Sequence, residues 1–165
     1  MPKQTKTLGV AYQDQIILGT TSNDSATAGQ VGEIITATVA SGAAVALTTA
    51  TPANVTSISL TAGDWDVAGL IDFNPAATTS ITQLNTSISL TTATLGTQPG
   101  GSGLGADPTT IFTQAASVPN GVIGLDAGPV RVSIAATTTV YLVAQGTFTV
   151  STMTAYGTIR ARRVW

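Results

Sequence analysis

Apolar and polar residues alternate along most of this chain. Trp65, Val67, Gly69, Ile71 and Phe73 fall in one phase, and Asp64, Asp66 and Asp72 fall in the other. A period of two with apolar groups on one side is the pattern of a half-buried strand. The same pattern returns at residues 130–134, where Val130, Val132 and Ile134 alternate with Arg131 and Ser133. It returns again at residues 140–150, with Val140, Leu142, Ala144, Phe148 and Val150 in one phase. Residues 156–164 read as a final strand. Earlier candidates are residues 31–39, 43–49, 55–61 and 80–92, with shorter ones at 110–116 and 122–125.

Turn residues separate these runs. Pro52 breaks the chain before residue 55, Ala62-Gly63 reads as a tight turn, and Asn74-Pro75 closes the strand behind it. Pro119-Asn120-Gly121 and Asp126-Ala127-Gly128-Pro129 read as two further turns. Residues 96–108, rich in glycine, read as an exposed loop. About eight or nine short strands with no convincing helix predict an all-β chain, a sandwich or a jelly roll. Periodicity alone does not separate these two.

Residues 1–30 differ from the rest. Ile16, Ile17 and Leu18 form a lone apolar cluster, followed by a polar stretch up to Gln30. This reads as an extended N-terminal arm and linker ahead of a body spanning residues 31–165.

Composition narrows the chemistry. The chain of 165 residues has no cysteine and no histidine, which removes thiol nucleophiles, disulfides, thiolate metal sites and the usual general base. Charged residues are 8% of the chain, against about 25% in an ordinary soluble domain. Its 31 threonines favour strands over helices. So little charge suits a protein held in an assembly better than one that must stay dispersed by repulsion. A net charge of −2 argues against a nucleic-acid partner, which calls for a broad basic field. No apolar run approaches the ~20 residues of a spanning helix, so no membrane insertion is expected.

Candidate chemistry is sparse. Asp64 and Asp66, two apart on one strand face, are weak candidates for a calcium site and lack an Asp-rich loop motif. Glu33 with any aspartate is a conceivable glycosidase pair, but no spacing singles one out. The expectation is no enzyme and no cofactor. The run Gly100-Gly101-Ser102-Gly103-Leu104-Gly105 lacks the Lys-Ser/Thr of a phosphate loop. At the C-terminus, Arg160 and Arg162 share a strand face with Val164, and Arg163 joins Ile159, Ala161 and Trp165. Arginine and tryptophan are favoured at contact centres, so Arg160, Arg162, Arg163 and Trp165 are expected at an interface.

Three stretches carry a resemblance. They are Val31-Gly32-Glu33, the run from Ile58 through Gly63-Asp64-Trp65-Asp66-Val67, and the closing run from Val130 through Ala155-Tyr156-Gly157 to Val164. Over residues 31–165 the chain resembles phage virion structural proteins of the capsid-decoration, head-fibre and tail-fibre type. The resemblance implies a jelly-roll β-sandwich like the heads of tumour-necrosis-factor and complement proteins, packed as a homotrimer on the virion surface. It implies attachment to the major capsid protein or another virion protein through the N-terminal arm, with Lys3, Lys6, Ile16, Ile17 and Leu18 as attachment residues. The rival expectation is a tail-fibre or head-fibre module that binds a host surface glycan through its loops.

Overall fold

The computed structural model describes residues 26–96, 98–99, 108–119 and 121–165. Two sheets pack face to face as a β-sandwich. One holds β1 (Ile34–Val39), β10 (Met153–Arg163), β4 (Gly63–Pro75) and β8 (Ile123–Ile134) in that order, and the short β2 (Val45–Leu47) also pairs with β10. The other runs β3 (Ala53–Leu60), β9 (Thr138–Thr149), β5 (Ser80–Ser89), β7 (Pro108–Ser117) and β6 (Gln98–Pro99). Neighbours are antiparallel except β6 and β7, which run parallel.

The inward phase of each strand makes the core. Trp65, Val67, Ile71 and Phe73 of β4 meet Leu84 and Ile88 of β5 and Leu142 of β9 in one cluster, with Val130, Val132, Met153 and Ile159 from the flanking strands. Each such side chain contributes about 1.5–3 kcal/mol by leaving water. The buried indole of Trp65 keeps its polar group satisfied by donating from Nε1 to the Thr61 carbonyl at 3.0 Å. Polar bonds also tie the layers: the Thr86 hydroxyl on β5 donates to the Asp126 carbonyl on β8 at 2.8 Å.

Three details depart from the pattern of the sequence. The first strand begins at Ile34 rather than Val31, because the chain before it is folded into turns. Gln30 N–H donates to Thr27 O and Glu33 N–H to Gln30 O, each at 3.0 Å. The run expected at 43–49 shortens to β2, behind a 3-10 turn at Ser41–Ala43.

The third departure is the turn expected at Asp126-Ala127-Gly128-Pro129, which is instead part of a single 12-residue strand, β8. Val67 pairs with Val130 and Gly69 with Ala127, so Gly128 and Pro129 together oppose Ala68 in a bulge. Gly128 takes φ +86, open to glycine at no steric cost. Pro129 fits because β8 is an edge strand, where a missing N–H leaves no ladder bond unmade. The bulge also blunts that edge against pairing with another sheet.

Candidate interface

The C-terminal arginines lie on both sides of one sheet. Strand β10 alternates strictly, with Met153, Ala155, Gly157, Ile159, Ala161 and Arg163 buried. Arg160 and Arg162 therefore point outward and Arg163 points in, as their phases require. Arg163 is only 5% exposed and cannot serve as an external contact. Its guanidinium is occupied within the chain: Nε donates to Glu33 Oε2 at 2.9 Å, Nη1 to the Ala62 carbonyl at 2.8 Å, and Nη2 to the Thr61 hydroxyl. Its carbon Cζ sits 4.2 Å from the centre of the Trp65 ring, a cation–π contact.

This cluster closes one end of the sandwich. Glu33 precedes β1, Thr61 and Ala62 turn β3 into β4, and Arg163 ends β10. Backbone bonds run alongside: Gly32 N–H donates to Arg163 O and Arg163 N–H to Glu33 O, both at 2.9 Å. The Gly29 amide donates to Glu33 Oε2 at 2.8 Å. That amide and the Arg163 guanidinium hold the Glu33 carboxyl below its ordinary pKa, against the opposing effect of burial. Glu33 is 8% exposed and is committed to a structural ion pair. Trp165, by contrast, is 80% exposed beside this end, anchored by its backbone, with Asp64 N–H donating to Trp165 O at 3.4 Å.

The outward face of the β1-β10-β4-β8 sheet carries the other predicted residues. Its register sets Ile34, Arg162, Asp66 and Arg131 in one row and Thr36, Arg160 and Ala68 in the next. Then come Thr38, Thr158, Leu70 and Asp126, and after them Tyr156, Asp72 and Gly124. A depression of about 270 Å³ opens between Arg160, Arg162 and Asp66, because Ala68 and Pro129 are small there. Among the described residues, neither Arg160 nor Arg162 makes an ion pair.

The calcium candidates part ways. Asp64 accepts from Arg131 Nη2 at 2.5 Å, and Asp66 lies in the row beside it. The Ser133 hydroxyl across the strand pair, and then the Arg131 guanidinium, hold the Asp64 carboxyl below its ordinary pKa. Among the described residues no three acidic groups gather as metal ligands. The attachment candidates Lys3, Lys6, Ile16, Ile17 and Leu18 lie outside the described residues, as does most of the glycine-rich stretch between β6 and β7.

Sequence reasoning missed the partners rather than the arginines. The phase of Arg163 placed it among Ile159 and Ala161, and a charge in that phase calls for a buried partner. Nothing local names Glu33, which meets it only because the first and last strands pair. Asp72 and Asp126 were legible as charges, but their places opposite Gly124 and Leu70 respectively depend on the register. No protein-family model, curated protein or solved structure matches the chain.

Proposed function

We propose that this chain is a non-enzymatic virion structural protein of a phage. In this reading it is a trimeric capsid-decoration or head-fibre protein, tied to the major capsid protein by residues 1–30. The observation that carries the reading is the strand order. Leaving aside the short β2 and β6, the eight long strands in chain order lie 1-8-3-6 in one sheet and 2-7-4-5 in the other. That order supports a jelly roll, an architecture used in viral capsids and lectins. The step from fold to role is by analogy, and the resemblance of residues 58–67 and 130–164 to phage virion proteins gives it direction.

Two physical points favour assembly over turnover. The chain is unusually poor in charge for a dispersed protein. The described residues also start at one end of the sandwich. Ala26 lies beside Gly32, next to the Arg163 cluster and the exposed Trp165. A segment leading from that end can lie along a neighbouring surface and add contact area without enlarging the body.

The test is binding of purified protein to capsids stripped of accessory proteins, with and without residues 1–25. That cut keeps Gly29 for Glu33. The full chain should bind and the truncated one should not, while both keep the same native mass. Binding by the truncated protein removes the anchoring role of the arm. Adsorption to host cells in place of capsids favours the glycan-binding module instead.

A further inference from the structure

The outward face of the β1-β10-β4-β8 sheet is polarised along its strands. At one end Arg160 and Arg162 stand free of ion pairs among the described residues, opposed by Asp66 alone, since Asp64 is taken by Arg131. Two rows away from Arg160 the sign reverses at Asp72, with Asp126 in the row between. That intermediate row also holds Leu70, 43% exposed on an outward strand face. Of its other neighbours Thr38, Thr158 and Gly124 are small and Tyr156 is large, and Ile34, 40% exposed, adds a second apolar side chain beside Arg162.

We infer that this face joins copies of the chain to one another, the basic end of one against the acidic end of the next. The inference rests on the reading that the protein self-assembles, and it adds which surface does so. The occupant follows from charge. A purely anionic ligand drawn to Arg160 and Arg162 meets Asp66 beside them and Asp72 and Asp126 beyond. A second copy, by contrast, presents both signs at the matching spacing. Apposing the ends covers Leu70 and gives the two arginines carboxylate partners, for which the guanidinium fork is suited. Because each copy carries both ends on one face, two copies meet about a two-fold axis, each basic end against the acidic end of the other.

Charge reversal tests this. The full chain is compared with Asp72→Arg, Arg160→Asp and the double variant by native mass and sedimentation across concentration, with unfolding midpoints measured alongside. Each single reversal sets like charges together and should raise the concentration for half-assembly by ~100-fold. The double variant restores opposite signs and should recover most of the loss. Raising salt should weaken assembly of the parent. If a reversal lowers the unfolding midpoint, Asp126→Arg with Arg162→Asp supplies a second pair on the same two ends. A parent that stays monomeric at every concentration overturns self-assembly itself. A parent that assembles, with single reversals that assemble equally well, leaves self-assembly standing and overturns this face. A double variant no tighter than the singles also overturns it.

Discussion

Nε of Arg163 donates to Oε2 of Glu33 at 2.9 Å, joining the two ends of the described body across a sequence separation of 130 residues. Both side chains are nearly covered, and the guanidinium also serves Ala62, Thr61 and the Trp65 ring. Removing one partner of a covered pair leaves the other charged and desolvated. Arg163→Ala should therefore lower folding stability by about 3 kcal/mol. In a domain of this size that is a fall of roughly 6–12 °C in Tm. Arg163→Lys keeps the charge but not the fork, and should fall between parent and alanine variant. Denaturant unfolding at neutral pH measures both. An alanine variant as stable as the parent would show that the cluster contributes nothing to stability.

The same pair predicts an acid limb. The Gly29 amide and Arg163 lower the Glu33 pKa in the folded protein, while the unfolded chain keeps an ordinary value near ~4.3. A depressed folded pKa gives stability that is fully present above the unfolded value and is lost as pH falls through the folded one. Asp64, lowered by Ser133 and Arg131, acts in the same direction. The unfolding midpoint should be flat from about pH 7 to 5 and fall below ~4.3. Glu33→Gln should start lower at neutral pH and converge on the parent in acid. Parallel curves across the whole range would remove Glu33 from the acid limb.

The β-sandwich was legible because alternation is a local signal. Residues 64–73 placed Trp65 in the core and Asp66 outside from spacing alone, and the structure keeps both there. The glycine and proline at 128 and 129 were misread as a turn, because a turn and a bulge use the same residues. What separates them is the pairing of Ala127 with Gly69, which lies elsewhere in the chain. The arginines were legible singly and their partners were not. Whether a charge faces Glu33, Asp66 or solvent is decided by which strands become neighbours, and residues within a few positions carry no record of that.

Gly63 sits at the start of β4 with φ +138, a backbone state that L side chains rarely adopt. A Cβ there would lie 2.3 Å from Arg163 Nη1 and 3.0 Å from the Trp165 carbonyl. Gly63→Ala therefore combines backbone strain with displacement of the guanidinium, and should cost about 2 kcal/mol. Because part of that cost runs through Arg163, the two substitutions should not add. Gly63→Ala in an Arg163→Ala background should cost about 1 kcal/mol less than it does in the parent. A double-mutant cycle in denaturant measures the difference, and strict additivity would mean that the clash is relieved without disturbing Arg163.

The second ion pair should behave differently. Arg131 and Asp64 meet at 2.5 Å, but the arginine side chain is 58% exposed while that of Asp64 is 12%, so water and salt replace only part of what the pair provides. Arg131→Ala should lower the unfolding midpoint at neutral pH, because it strands the covered Asp64 carboxylate, but by less than Arg163→Ala, because solvent already reaches the arginine. The same substitution removes a positive charge from the row that holds Arg162 and Asp66. If that face joins copies of the chain, native mass and sedimentation should register a larger change than unfolding does. Measured together, the two arginines separate a residue that holds the fold from one that lies on its contact surface. A large drop in midpoint for Arg131→Ala would place both pairs in the first class.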